Sequence, residues 1–444
     1  MQIFFLNAMA VKRLRPKKTF FLNIQKSRTF TTMLLATIML LIIYPNTLFS
    51  YHSTYSKPHS KSHETNNAKT EEIPSTNSTV HDQLVSEKFG FFADTELVDD
   101  PFIPPENTSR EDRLVWFRHK LPDLDILSPK NLSRTRSFSG RVSQFLGRNC
   151  MTRFYMTWLT SIKSFGKRQF LTMDSLSKAN PESCLVIVSS SLDTAAGHRI
   201  LKPLVDRGFQ ILTVAPDLPF LVENTPAESW LEEMKSGKKD PGMIPLSQNL
   251  SNLIRLLMLY KYGGVYLDTD VLVLRDFSGL RNCVGAQSVN PVSREWTRLN
   301  GAVMVFDVDH PLLHEFLEEF AVTFDGSKWG HNGPYLISRV IERLLQNYKY
   351  RSSPERLHGD YNFSILPTRA FYPVNWLRIN RLMTKPANES EARWDARMLK
   401  ELNGKETYAL HLWYKWSKDY KIEAGSVVAR LISDHCLVCY NISS

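Results

Sequence analysis

Residues 246–274, LSQNLSNLIRLLMLYKYGGVYLDTDVLVL, constrain the fold of this 444-residue chain more than any other stretch. Leu250, Leu253, Ile254, Leu257 and Lys261 fall at helical spacing, and the apolar members form one stripe. Gly263 and Gly264 end that helix, because glycine enters the left-handed region without a Cβ penalty. Val265 to Leu274 then reads as one buried strand. Side chains two apart in a strand point the same way, so Asp268 and Asp270 are expected on one face. Two carboxylates inside an apolar strand need a cation or hydrogen-bond donors. Oxygen ligands of this kind suit manganese or magnesium, and such an ion can in turn bind a diphosphate.

From Cys150 onward strand and helix patterns alternate. Cys184 to Ser190 and Phe209 to Val214 read as parallel strands with a helix from Thr194 to Asp206 between them. Gly301 to Asp307 reads as a further strand, and Tyr408 to Trp413 as a late one ending near His411. Pro311 to Phe324 and Pro334 to Tyr348 read as helices, with proline suited to the first turn of each. Repeated βα units imply a mostly parallel α/β sheet with helices on both faces. Ligands in such sheets bind beyond the carboxyl ends of the strands, where the two aspartates fall.

The stretch Ser251-Asn252-Leu253-Ile254-Arg255, followed by Tyr262-Gly263-Gly264-Val265-Tyr266-Leu267-Asp268-Thr269-Asp270, resembles the DXD region of GT-A glycosyltransferases. It is more closely similar to the α-1,4-glycosyltransferase family, which includes globotriaosylceramide synthase and many plant relatives. Asn300-Gly301-Ala302, His331-Asn332-Gly333-Pro334 and His411-Leu412-Trp413-Tyr414-Lys415 follow in the family's order, so the resemblance covers roughly residues 150–444. It implies a GT-A-type nucleotide-sugar-binding fold and transfer of a hexose, galactose or N-acetylglucosamine, from a UDP-sugar to a glycan or glycolipid with retention of configuration. One departure is Asn252, where many relatives carry an aspartate.

The residues take roles accordingly. Asp270 is the expected direct metal ligand; Asp268 acts on the ribose or through a metal-bound water. His411 is the candidate third ligand, Trp413 a wall of the donor pocket and Lys415 a phosphate partner. Arg255 reaches the sugar or diphosphate, or else pairs with a carboxylate. Asn252 and Tyr266 belong to the donor side. Asn332 and Gly333 belong to the acceptor side, or else form a helix N-cap before Pro334; Asn300 and Gly301 are weaker candidates of the same kind. No separate nucleophile is legible, which favours front-face attack by the acceptor hydroxyl; Asp309 and Asp325 are the alternative covalent nucleophiles. A metal phosphohydrolase is the competing enzyme class, disfavoured because Val271 to Leu274 continues as a strand. A glycan-binding Golgi scaffold without activity is the competing non-enzyme, kept in play by Asn252.

The N-terminus sets the compartment. Residues 1–28 hold seven basic residues and no acid, leaving +3 of the chain's net +10 for everything else. The basic balance therefore marks a cytosolic tail rather than a nucleic-acid partner. Residues 29–50 are uncharged and apolar enough for a signal-anchor. Residues 51–149 read as a luminal stem and 150–444 as the catalytic domain of a single-pass type II Golgi membrane protein. Within the stem, 111–147 is transitional, and Leu114 to Phe117 is a short element docking on the main domain or on a partner. Seven N-x-S/T sequons, at Asn77, Asn107, Asn131, Asn249, Asn362, Asn388 and Asn441, fit a secretory lumen. The five cysteines, Cys150, Cys184, Cys283, Cys436 and Cys439, permit two disulfides and one spare thiol. Cys436-x-x-Cys439 lacks the second pair that zinc would want, so a disulfide or buried thiols are expected there.

Overall fold

Eleven strands organise the residues that the structure, a computed structural model, describes: 102–127, 132–347, 351–353, 355–357 and 359–439. They are β1 Arg153–Thr157, β2 Cys184–Val188, β3 Gln210–Val214, β4 Gly264–Leu267, β5 Val271–Val273, β6 Cys283–Val289, β7 Trp296–Phe306, β8 Arg351–Ser353, β9 Arg356–Leu357, β10 Phe363–Leu366 and β11 Ala409–His411. Nine form one sheet in the order β3-β2-β1-β4-β7-β6-β10-β9-β8, and β11 pairs with β5 in a separate two-stranded sheet. β1 runs parallel to β2 and β4, β2 to β3, and β6 to β10. β7 opposes both β4 and β6, and β9 opposes β8 and β10. Seven of the nine strands therefore share one direction, and the expected mostly parallel α/β sheet is what forms.

Period-two alternation sends each strand's side chains into two cores. Tyr155, Val186, Tyr266 and Met304 enter one; Phe154, Leu185, Val265 and Val303 enter the other. Helices cover both faces, so strands such as Cys184–Val188 are buried at every position. The helix Arg110–Lys120 and the stretch Phe138 to Leu146 also join the first core, through Phe117, Phe138 and Val142. The Leu114–Phe117 element thus docks on the main body. The expected signal-anchor and most of the expected stem lie outside the described residues. Among the described residues no helix is long and apolar enough to cross a membrane.

Helix ends fall where the caps dictate. Thr194 caps the helix Ala195–Val205 by accepting from Gly197 N, and the two proline-started helices run Pro311–Thr323 and Pro334–Gln346. The helix Leu246–Tyr262 is more central than its stripe implied, because Leu256, Met258 and Leu259 are buried as well. Gly263 has φ 59 and Gly264 φ 118, and a Cβ on either would strike backbone, at Val308 N or Arg153 O. Both glycines are thus required at this turn.

The expected single strand Val265–Leu274 is corrected. β4 stops at Leu267, residues 268–270 turn, and β5 leaves the main sheet to pair with β11. Val271 N donates to Asp268 O across the turn at 3.2 Å. Continuing β4 would carry both carboxylates between two apolar layers, and the turn lets them keep partial contact with solvent. The metal phosphohydrolase alternative needs a loop and helix after the dyad, whereas the strand β5 follows. β1, β6 and β8 to β10 have no counterpart in the sequence reading, nor does the helix Lys167–Ala179.

The cysteines form Cys150–Cys184 and Cys436–Cys439 disulfides and leave Cys283 as a buried thiol. Cys184 begins β2, so its bridge ties Cys150, just before β1, to the sheet.

Candidate functional site

The turn after β4 and the end of β11 meet because β5 and β11 pair in register, with His411 opposite Val271. Leu412 N donates to Asp270 O at 2.8 Å, and Tyr414 N to Asp270 Oδ2 at 2.8 Å. These bonds leave Asp270 Oδ1 facing His411 Nε2 at 3.4 Å. The Trp413 amide donates to His411 Nδ1 at 3.0 Å and so orients the ring. Trp413 itself sits at φ 53, ψ 53, a left-handed conformation costly for an aromatic residue, with its indole N–H bonded to Val374 O. Its ring packs 4.2 Å from His411 and 5.7 Å from Trp376, centroid to centroid.

Asp268 projects from the same face as Tyr266, two residues earlier. Tyr266 Oη donates to Asp268 Oδ1 at 2.9 Å, and Arg255 Nη2 approaches the same oxygen at 3.1 Å. Burial pushes the Tyr266 phenol well above its ordinary range, so it stays a donor. Tyr266 lies wholly inside, under the Arg255 guanidinium at 4.5 Å. It meets Asp268 from inside the fold. Arg255 is likewise buried; its Nη1 donates to Gly301 O at 2.7 Å and its Nε to Ser251 O at 3.3 Å. Burial alone would lower the Arg255 pKa, but the facing Asp268 outweighs it and the group is held charged. Of the two expectations for Arg255, the structure displays the carboxylate pair.

Ligand atoms of Asp268, Asp270 and His411 all lie within 4.8 Å of one another. Manganese and magnesium take ligands at about 2.1 Å, so these three groups converge on a volume of the right size and donor type. Two carboxylates and one guanidinium leave one formal negative charge, which a divalent cation reverses. The residues present fit such an ion.

The remaining candidates have contacts of their own. Asn252 stands against Gly333, where an added Cβ would come within 2.8 Å of its Oδ1. Asn332 is buried and fully engaged: its amide donates to Asn249 Oδ1 and Asp325 O, each at 2.9 Å, and its oxygen accepts from Asp325 N at 3.1 Å. Gly333 is the N-cap of Pro334–Gln346, as the helix-start alternative held. Lys415 lies 3.3 Å from the centre of the exposed Trp329 ring, a cation–π pair at the surface. Asn300 bonds Gln287 and Ala302 N. Asp309 follows β7, whose end at Phe306 pairs with Gly264, so it lies at the far end of β4 from Asp268. Asp325 is paired with Lys328 at 2.9 Å.

Sequence reasoning missed Tyr372, which donates to Asn300 O at 3.1 Å and accepts from Val303 N at 3.2 Å beside the His411 ring. It also missed Thr157, whose hydroxyl links Ser251 and Tyr266 at 2.6 and 2.9 Å. No local motif marks either one.

Comparison with known proteins bears on this geometry. Residues 166–290 match the glycosyltransferase sugar-binding region containing the DXD motif, and residues 305–443 match the alpha 1,4-glycosyltransferase conserved region. The mouse lactosylceramide 4-alpha-galactosyltransferase is 32% identical over 270 residues, 60% of this chain and 68% of that one. The chain belongs to the α-1,4-glycosyltransferase family. Other family relatives include the human alpha-1,4-N-acetylglucosaminyltransferase, 28% identical over 225 residues, 50% of this chain and 58% of that protein. An uncharacterized Arabidopsis thaliana protein is 31% identical over 312 residues; the match takes in 69% of this chain but only 45% of that longer protein. Among solved structures, an active-site mutant of LgtC aligns over 65% of this chain and 98% of its own, at 12% identity and a TM-score of 0.36. At that score the family assignment rests on the sequence matches. Asp268 and Asp270 fall in the first matched region and His411 in the second.

Proposed function

We propose that this protein is a metal-dependent, retaining glycosyltransferase of GT-A type that moves a hexose from a UDP-sugar to a glycan or glycolipid acceptor. The observation that carries the reading is the convergence of Asp268, Asp270 and His411 across the β5–β11 pairing. A divalent cation there, manganese or magnesium, supplies Lewis-acid neutralisation of the departing diphosphate. The protein's own residues do the rest. Asp270 is oriented by two backbone N–H groups, Asp268 by Tyr266 and Arg255, and His411 by the Trp413 amide. Trp413 walls the donor pocket, and Lys415, one residue beyond the amide that holds Asp270, is the phosphate partner. Asn252 is on the donor side, and Gly333, packed against it, is on the acceptor side. With no separate nucleophile legible in the sequence, the acceptor hydroxyl attacks the anomeric carbon on the face from which UDP leaves, and the leaving phosphate takes its proton.

Galactose and N-acetylglucosamine are the favoured sugars because the two named enzymes above transfer them. The basic tail and the apolar stretch 29–50 support a type II Golgi membrane protein with a luminal catalytic domain from about residue 150. The test is UDP release from a panel of UDP-sugars by the purified 444-residue protein, with and without manganese and with Asp270→Ala as control. Release from one donor, abolished by chelator and by the substitution, is the expected result. Folded protein that neither binds UDP with manganese nor releases it from any donor would overturn the reading in favour of a scaffold.

A further inference from the structure

The helix Lys167–Ala179 is buried on several sides and carries polar side chains where a core helix would carry apolar ones. Gln169, Thr172, Asp174, Ser175 and Ser177 are all buried. A buried polar group costs free energy unless it is satisfied, so the partners of these residues say what the helix is for. Three consecutive contacts run along the segment that leaves the Asp268–Asp270 turn. The Thr172 hydroxyl lies 2.9 Å from Thr269 O, sharing its proton with Gln169 O at 2.7 Å. Ser175 Oγ accepts from Val273 N at 2.9 Å while donating to Thr172 O at 2.8 Å. Asn180, the helix C-cap, accepts from Phe277 N at 3.0 Å and donates to Arg275 O at 3.4 Å. One helix therefore stitches Thr269 to Phe277 from the middle of the aspartate pair onward.

The helix is itself anchored from another side. Asp174 accepts from three successive backbone N–H groups, Leu437 at 2.7 Å, Val438 at 2.9 Å and Cys439 at 3.1 Å. Those amides belong to the loop closed by the Cys436–Cys439 disulfide. A fully buried carboxylate with three donors is satisfied only while that loop keeps its curl.

We propose that Thr172, Ser175 and Asn180 are positioning residues for the Asp268–Asp270 turn, with Asp174 and the disulfide-closed loop fixing the helix that carries them. The proposal rests on the metal-site reading above. None of the four touches the ion. They restrict where Asp270 can lie relative to His411, and a metal site tolerates little play in its supporting shell.

The experiment measures manganese affinity by electron paramagnetic resonance of the free ion, alongside the thermal midpoint without metal. The proteins are the natural chain, Asp270→Ala, Thr172→Val, Thr172→Ser, Asp174→Asn and the double variant Cys436→Ser, Cys439→Ser. Valine keeps the shape of threonine, and asparagine keeps the shape of aspartate but turns a donor toward the amides. Thr172→Val, Asp174→Asn and the double variant are expected to weaken manganese binding by about ten- to a hundredfold, as second-shell losses do. Thr172→Ser, which restores the hydroxyl, is expected to bind like the natural chain. Should Asp174→Asn fail to fold, Thr172→Val and its serine rescue decide the matter. Natural affinity in folded Thr172→Val and in the double variant would overturn the inference. If the natural chain binds no manganese, or Asp270→Ala binds it equally well, the metal-site reading falls instead.

Discussion

Arg255→Lys separates a structural arginine from a ligand-binding one. Arg255 spreads its guanidinium over two partners: Asp268, 3.1 Å from Nη2, and Gly301 O, 2.7 Å from Nη1. Lysine keeps the charge and loses the fork. Whichever partner is released loses its buried hydrogen bond, at about 1–3 kcal/mol. The Asp268 side chain is 29% exposed and can take up water, while the Gly301 bond is buried. Lysine is therefore expected to follow the carbonyl, and the low end of that range, about 1 kcal/mol, is the expected loss. With a urea slope of roughly 3 kcal/mol/M for a chain of this size, the midpoint falls by about 0.3 M at unchanged slope. Urea unfolding followed by tryptophan fluorescence reads this directly. The same substitution frees one side of Asp268 and should lower kcat with little change in the KM of the nucleotide sugar. An unchanged midpoint together with a KM raised many-fold would refute the reasoning and make Arg255 a donor contact.

Three further outcomes are expected. Burial alone would raise the Glu319 carboxyl, but hydrogen bonds from Arg343 at 2.7 Å and Arg339 at 2.9 Å hold it below the usual range. A depressed folded pKa gives stability that is complete at neutral pH and is lost as pH falls through the folded value. Glu319→Gln should thus cost about 2 kcal/mol at pH 7, with the gap to the natural chain narrowing below about pH 4, as urea midpoints across pH would record. Burial pushes the Cys283 thiol up to about 12, so it should resist alkylation by iodoacetamide in the folded protein and react only on unfolding, as read by mass spectrometry. Asn249 is buried in the helix Leu246–Tyr262 and accepts from Asn332 at 2.9 Å, whereas Asn388 is an exposed helix cap. Glycopeptide mapping of protein passed through the secretory pathway should find Asn249 bare; a glycan there would contradict the packing.

Local chemistry made some of this protein legible in its sequence. Thr194, Pro311 and Pro334 mark helix starts by what their own atoms can donate, accept or lock. Gly263 and Gly264 mark a turn that no Cβ tolerates. The two aspartates in an apolar run announce a site because burying them unpaired is too costly. Other features depend on partners far along the chain. The Lys167–Ala179 helix reads as polar and unremarkable until Thr269, Val273 and the 437–439 amides are seen to satisfy it. Tyr372 and Thr157 belong to the site only through hydrogen bonds across the sheet. The aspartate turn departs from the expected straight strand because β11 offers Val271 to Val273 a second sheet. That same pairing carries His411 to Asp270, with the left-handed Trp413 packed beside His411. Sequence by itself thus determined which groups are chemically expensive and where the chain must bend, because those costs lie within a few residues. Tertiary structure alone decided which distant groups meet those costs, because a strand's hydrogen-bonding edge does not specify its partner until the sheet is assembled.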